Sequence, residues 1–324
     1  MQYRNLGRSG LQVSLIGIGA NRFGHEKMPQ EEVTRVLDAA EDLGINFIDS
    51  ANIYTGGRSE ETIGVALKGR WERFIVATKF SVSMNQKDTL PNHAGASRYH
   101  IIEALEGSLR RLGREHVDLY YIHVWDETTP IEETLRALDD LLRAGKLRYL
   151  AASNFSSWQL AHANLLAELR GWTAFVAIQN EYSMFERADE REMLPYCAAH
   201  NVGYVPYFPL ASGFLTGKYR RGQEFPAGSR AAEFKKTGRP IPYDSDWHYD
   251  RIEALEGWTA ARGHTLTELA LAWLTARLEI PSVISGVTSL EQLHSNARAV
   301  DWTLSTEEVA QVTSLLDDPH AVVG

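Results

Sequence analysis

The sequence predicts an α/β protein built as a (β/α)8, or TIM, barrel, with a single domain over residues 1–324. Three observations lead there. Short apolar runs alternate eight times with amphipathic stretches of helical period, the signature of parallel strands buried on both faces. The ends of those runs repeatedly deliver a polar side chain, and in a barrel the C-terminal strand ends share one rim. The competing layout, an open doubly wound sheet, lacks its glycine fingerprint. Gly17-Ile-Gly19-Ala-Asn-Arg22 has no third glycine and runs into Phe23-Gly24-His25 instead of a helix.

The elements follow in order. Tyr3-Arg-Asn-Leu6 and Leu11-Gln-Val13 flank Gly7-Arg-Ser-Gly10, which reads as a small hairpin ahead of the main fold. Strands are expected at 15–19, 46–49, 74–78, 119–123, 149–153, 175–179, 203–207 and 282–285. Helices are expected near 30–43, 59–68, 99–112, 131–144, 157–169, 189–200, 248–262, 266–278 and 289–298, with a final one near 305–316. Ser59 is the expected N-cap of the second helix, ahead of Glu60 and Glu61. Two long connections interrupt the repeat, 81–98 and 211–246, and loops of this length in a barrel are usually lids or binding loops. The second carries Lys218, Arg220, Arg221, Arg230, Lys235, Lys236 and Arg239, a local basic stretch that suits an anionic ligand as well as a solvated loop. Its Gly213-Phe-Leu-Thr-Gly217-Lys218-Tyr219 is one spacer short of a P-loop.

Composition excludes several classes of function. Hydrophobic content is 44% and charged content 23%, ordinary for a globular protein with a large core. A formal net charge of −9 disfavours nucleic acid or an anionic membrane as partner. The N-terminus has no apolar signal core and no apolar run is long enough to span a bilayer, so a cytoplasmic protein is expected. The one cysteine, Cys197, sits among apolar neighbours and reads as an inert buried thiol. No metal is expected, because the histidines and the cysteine lack ligand spacing. No Gly-x-Ser-x-Gly elbow supports a hydrolase.

The chemistry concentrates at strand ends: Asp49 and Tyr54, Lys79, His123, Ser153 and Asn154, Gln179, and Tyr207. Singly, each has an ordinary explanation as a cap, a core ring, a surface cation or a bonded histidine. Together on one rim they describe a site. A tyrosine ionises near pH ~10, too high for easy proton transfer at neutrality, and a neighbouring ammonium lowers that value. Lys79 is placed to do so, with Asp49 holding Lys79 charged and His123 hydrogen-bonding a substrate oxygen. The set contains an acid and no reductant, so a nicotinamide cofactor would have to bring a hydride.

Here the sequence resembles the aldo-keto reductase superfamily over nearly its whole length. The most specific stretches are Asn46-Phe-Ile-Asp-Ser-Ala-Asn-Ile-Tyr54, Ala151-Ala-Ser-Asn-Phe155, Ile178-Gln-Asn-Glu-Tyr182 and Tyr207-Phe-Pro-Leu-Ala-Ser-Gly-Phe-Leu-Thr-Gly-Lys218. It looks closest to the bacterial branch near the potassium-channel β-subunit-like proteins. The resemblance implies a barrel plugged by the N-terminal hairpin and closed by extra C-terminal helices, with a catalytic tetrad at Asp49, Tyr54, Lys79 and His123. It implies that Ser153, Asn154 and Gln179 hold a nicotinamide carboxamide and that Tyr207 stacks on the ring. Leu210, Gly213, Leu215, Gly217 and Lys218 would lie over the pyrophosphate, and Gly286, Thr288, Gln292 and Asn296 near the adenosine phosphate. Many members carry Arg or Lys where this chain has Val287-Thr288 and Gln292, which weakens the clamp for the 2′-phosphate of NADPH and leaves NADH open. Arg298 and Lys218 are the cations placed to compensate. The expected activity is reduction of a small carbonyl compound at a mouth formed by Asn21, Arg22, Phe23 and Trp125. Two other readings remain: a regulatory protein of the channel β-subunit type that senses the cofactor, and a phosphosugar isomerase or aldolase using Lys79. The physiological substrate and the oligomeric state are not legible here.

Overall fold

The computed structural model describes residues 1–84 and 90–320. Strands β1 (Tyr3–Asn5) and β2 (Gln12–Ser14) pair antiparallel as the expected hairpin. The repeating unit then runs β3 (Ile16–Gly19), α1 (Gln30–Asp42), β4 (Phe47–Asp49), α2 (Arg58–Ala66), β5 (Ile75–Phe80), α3 (Arg98–Leu112), β6 (Val117–Ile122) and α4 (Ile131–Arg143). It continues with β7 (Leu147–Ser153), α5 (Ser157–Arg170), β8 (Ala177–Gln179), α6 (Met193–His200) and β9 (Gly203–Tyr204). After the long second connection come α7 (Arg230–Lys236), α8 (Asp246–Ala260), α9 (Leu266–Thr275), β10 (Val283–Gly286), α10 (Leu290–Arg298) and α11 (Thr306–Asp317).

The eight strands from β3 to β10 pair in parallel in the order β10-β3-β4-β5-β6-β7-β8-β9. The remaining seam closes through a parallel bridge between Tyr207 and Ile284 and through Ile284 N–H donating to the Pro206 carbonyl at 2.9 Å. This is the (β/α)8 barrel, and the alternation of side chains along its strands sorts them into two layers. Outward residues such as Ile48, Val76, Tyr120, Leu150 and Ile178 pack under the helices. Inward residues Phe47, Ala77, Leu119, Ala151, Ala177 and Val205 fill the lower barrel, together with Leu6 and Val13 of the hairpin. The hairpin is therefore the plug. Its turn lies so close to the barrel floor that a Cβ on Gly7 would sit 2.3 Å from the Val176 carbonyl oxygen, and Gly7 has φ +55°.

One strand step above this apolar floor, the same inward positions become polar: Asp49, Lys79, Ser153 and Gln179. The strand expected at 74–78 extends through Phe80, so Lys79 lies within the sheet and not beyond it. Two other expectations change. The second connection contains a helix, α7, whose N-cap Ser229 accepts from the Ala232 N–H; seven residues in a Gly- and Pro-rich stretch leave little periodic signal. Gly57, not Ser59, caps α2, with φ +92° in the left-handed region. Ser59 lies inside the helix, where its hydroxyl donates to the Ala20 carbonyl at 2.8 Å and contacts Ser50 Oγ at 2.9 Å. Among the described residues no helix is long and apolar enough to cross a membrane.

Candidate active site

Lys79 organises the upper layer. It is fully buried, and its ammonium donates to Asp49 Oδ2 at 2.6 Å, to the Ser50 carbonyl at 2.9 Å and to Tyr54 Oη at 3.3 Å. Asp49 is held on its other side by Gln179, whose Nε2 donates to Oδ1 at 2.9 Å. Strand register explains the assembly: Asp49 pairs with Ala77 on β5, and Lys79 with Tyr121 on β6, so adjacent inward positions converge. Tyr54 stands in the loop between β4 and α2, half-buried, with its ring edge-on to His123 at a centroid distance of 6.0 Å. His123 follows β6, and its N–H still donates to the Phe80 carbonyl in barrel register.

The electrostatics differ from the sequence expectation at one point. Burial raises the Tyr54 phenol above its ordinary range; the Lys79 ammonium lowers it and the Asp49 carboxylate raises it, and burial wins. Tyr54 is therefore held in its protonated form through neutrality. Burial alone would depress Lys79, but Asp49 and then Tyr54 reverse this and leave the ammonium raised. Burial, with the Lys79 charge second, pushes His123 down to about 3, so its imidazole is neutral and its buried Nδ1 has no partner among the described residues.

Ser153 and Asn154 flank the tetrad positions. Ser153 is buried and inward, while Asn154 takes φ +57°. The Asn154 Nδ2 donates to the His123 carbonyl at 2.9 Å and to Ser153 Oγ at 3.1 Å, and its Oδ1 accepts from Tyr207 Oη at 2.8 Å. Tyr207 and Asn154 also line a cavity of about 300 Å³ with Asn180, Glu181, Glu186 and Asp189. That cavity is acidic.

The connection that follows Tyr207 is basic. Phe208, Ala211, Ser212, Gly213 and Gly217 all have positive φ, so the chain coils tightly over the rim. A Cβ on Gly213 would lie 2.8 Å from Lys218 Nζ, so this glycine makes room for the ammonium. Leu210 stays partly exposed, whereas Leu215 is fully buried and contributes packing. The cations of this connection divide. Arg220 pairs with Glu256, and Arg221 with Asp246, Asp250 and Glu253, all on α8. Arg239 lies over the Phe234 ring. Lys218, over Tyr219, and Arg230, over Phe208, have no carboxylate within ion-pair distance among the described residues. Lys235 and Lys236, exposed on the last turn of α7, and Arg239 likewise have no ion pair among the described residues, and the two unpaired cations that lie against the coiled turn are Lys218, beside Gly213, and Arg230, over Phe208.

At the start of α10, Gln292 Oε1 accepts from the Thr288 N–H at 2.9 Å and hydroxyl at 3.0 Å, and the space beside Gly286 is open. Asn296 is buried, its amide donating to Ser285 Oγ at 2.9 Å, which ties α10 to β10. Arg298 stands at the far end of α10, roughly 12 Å along the axis from its first turn.

Of the expected mouth residues, Asn21 and Arg22 are partly exposed, with Arg22 paired to Glu233 of α7 at 3.3 Å. Trp125 packs edge-on against Phe155 at 5.0 Å and Trp158 at 5.7 Å. Phe23 is not at the mouth. It is fully buried in the layer beneath the helices, because the turn after β3 folds it inward. The loop residues 85–89 lie outside the described residues. The sequence reading missed Arg230, whose signal was its place in the basic stretch, and Trp158, a large exposed aromatic at the start of α5.

Residues 15–317 match the model of the Aldo/keto reductase family. A protein of Oryza sativa subsp. japonica described as a probable voltage-gated potassium channel subunit beta is 37% identical, with 93% of this chain and 92% of the relative covered. An uncharacterized oxidoreductase of Bacillus subtilis (strain 168) is 33% identical over 98% of this chain and 97% of its own length. Versiconal hemiacetal acetate reductase of Aspergillus parasiticus is 30% identical over 99% and 97%. With a match that runs from the first barrel strand into the last helix, the chain belongs to the aldo/keto reductase family.

Proposed function

We propose that this chain reduces the carbonyl group of an aldehyde or ketone, with a nicotinamide cofactor as reductant and Tyr54 as proton donor. The observation that carries the reading is the buried Lys79 ammonium bridging the Asp49 carboxylate and the Tyr54 phenol. The residues present fit such a cofactor. Ser153, Asn154 and Gln179 offer both donors and acceptors, as a carboxamide requires, and Tyr207 offers a ring face beside them. Lys218 and Arg230 offer unpaired cations beside a tightly coiled backbone, as phosphates require, while the acidic cavity lined by Glu181, Glu186 and Asp189 would repel them. Gly286, Thr288 and Gln292 remain for the adenosine end. When bound, the cofactor supplies the hydride.

The chain's own residues supply the rest. Tyr54 Oη gives its proton to the carbonyl oxygen as charge develops there. The Lys79 ammonium, 3.3 Å away, stabilises the phenolate this leaves. Asp49 acts at one remove, keeping Lys79 charged in a site where burial would neutralise it. Neutral His123 presents an N–H for the same carbonyl oxygen. Trp125, backed by Phe155 and Trp158, walls the mouth with aromatic surface and favours apolar or aromatic carbonyls. The raised ammonium of Lys79 argues against an isomerase or aldolase, whose Schiff-base lysine must be neutral. The single cysteine, buried with its thiol pushed well up, suits the reducing cytoplasm.

Three relatives with channel-subunit names keep a cofactor-sensing role as the second reading. Titration with NADPH and NADH side by side, followed by turnover with simple aldehydes, separates the two. A catalyst consumes cofactor steadily, whereas a sensor binds it and stops. Tyr54→Phe is expected to bind cofactor as the parent does and lose about 10²–10⁴-fold in turnover. Turnover retained in that variant would remove Tyr54 from the role of acid.

A further inference from the structure

The Thr55 hydroxyl, one residue past Tyr54, donates to the Phe23 carbonyl. We propose that Thr55 is a positioning residue for proton transfer, acting through a latch from its hydroxyl to the Phe23 carbonyl; this rests on the reading of Tyr54 as the acid.

The case begins with how little holds the phenol itself. Tyr54 Oη has one hydrogen bond among the described residues, the 3.3 Å contact from Lys79, longer than that ammonium's bonds to Asp49 and Ser50. The ring meets His123 edge-on, and the Lys79 ammonium lies over its face, 5.0 Å from the centroid. Beyond these contacts its place is set by its backbone. That backbone is unusual. Thr55 has φ +48° and ψ +31°, a left-handed conformation that a β-branched residue rarely takes, followed by Gly56 at φ +68° and Gly57 at φ +92°. The glycines adopt these angles freely; Thr55 does not, and something must hold it there.

The Thr55 hydroxyl lies 2.6 Å from the Phe23 carbonyl oxygen, with the Tyr54 carbonyl a second acceptor at 2.8 Å. Phe23 is a rigid support, since its ring is fully buried and its N–H donates to the Ala20 carbonyl at 3.0 Å. Residues 20–24 hold the chain on both sides of Tyr54. Ahead of it, the Ala20 N–H donates to the Asp49 carbonyl at 2.9 Å. After it come the Thr55 latch and the Ser59 hydroxyl on the Ala20 carbonyl. The two segments pack so closely that a Cβ on Gly24 would lie 2.6 Å from Arg58 Cβ. The latch is the link nearest the phenol, one residue from it.

Thr55→Val removes the hydroxyl at nearly constant shape, Thr55→Ser keeps it, and Thr55→Gly removes it while relieving the left-handed strain. The measurements are kcat and KM for a simple aldehyde, NADPH affinity by fluorescence, and Tm. Thr55→Val is expected to lose about 10- to 100-fold in kcat, the scale of a ~1 Å misplacement. KM and NADPH affinity should stay within about two-fold. Thr55→Ser should recover kcat to within about three-fold of the parent. If Thr55→Val does not fold, Thr55→Gly carries the same expectation. A kcat within two-fold of the parent in the folded variant lacking the hydroxyl, a loss confined to KM, or no recovery in Thr55→Ser would each overturn the latch. Tyr54→Phe run alongside distinguishes this from failure of the underlying reading. If it is inactive while Thr55→Val is normal, the acid stands and the latch falls; if it is active, the acid assignment itself fails.

Discussion

The two sides of the barrel mouth handle charge in opposite ways. On the β4–β6 side, the Lys79 ammonium is buried, matched to a carboxylate and fixed on strands that cannot move apart without breaking the sheet. On the side after β9, Lys218 and Arg230 have no carboxylate partner among the described residues; Lys218 follows a turn that coils through left-handed conformations, and Arg230 opens α7 over the Phe208 ring. A paired buried charge sets the ionisation of its neighbours and resists displacement. An unpaired rim cation is a place for an anion to arrive. On the proposed reading, the first side holds a proton at one atom and the second holds a ligand.

The largest effect is expected from breaking the first side. Lys79→Met removes the cation that opposes burial at Tyr54 and leaves Asp49 buried without its partner. Both changes push the phenol further up and make its conjugate base less stable. Turnover should fall by about 10³-fold, within the range for loss of acid–base assistance. Any residual rate that depends on tyrosine ionisation should move to higher pH. A pH–rate profile checks the direction: a residual profile displaced to lower pH would contradict the role given to Lys79. His123 should add no step near pH ~6.5 in the parent, because its pKa is held at about 3 and the neutral ring is the only form present above that.

An intermediate effect is expected on the second side. Lys218→Ala and Arg230→Ala should each weaken NADPH binding by about 10-fold, the lower end for a charge-assisted contact, with kcat nearly unchanged at saturating cofactor. NADH should lose less than NADPH if either cation reaches the 2′-phosphate and equally if both serve the pyrophosphate. The ratio of the two losses therefore places the cations along the cofactor. A loss of kcat without loss of affinity would mean that the two sides are not separate.

This division also marks what the sequence could convey. The strands, their order and the convergence of Asp49, Lys79, Ser153 and Gln179 were legible because period-two alternation in a parallel barrel leaves an inward residue no other direction. Phe23 was misplaced because a residue just past a strand end looks like rim until the turn that follows is known. The phenol's ionisation was misjudged because the Lys79 neighbour can be read from sequence and the depth of burial cannot. The basic stretch was overcounted for a third reason. The partners of Arg220 and Arg221 lie on α8, many residues further along, and no local pattern announces an ion pair across that distance.

The smallest effect, and the sharpest control, comes from those two arginines. They share the connection, the sign of charge and the chemistry of Arg230, and differ in being paired: Arg220 with Glu256, Arg221 with three acids of α8. If raw positive charge on the connection attracted the cofactor, replacing either by Ala would weaken NADPH binding as much as Arg230→Ala. If pairing decides, the change should stay within about two-fold, because an exposed ion pair contributes only ~0–1 kcal/mol and its field is largely cancelled by its own partner. The cost should appear instead as a small fall in Tm, as the connection loosens from α8. Matched titrations of the three Arg→Ala variants at two salt concentrations decide between these outcomes. A common salt-sensitive loss in all three would replace the paired–unpaired distinction with a simple electrostatic field over the whole connection.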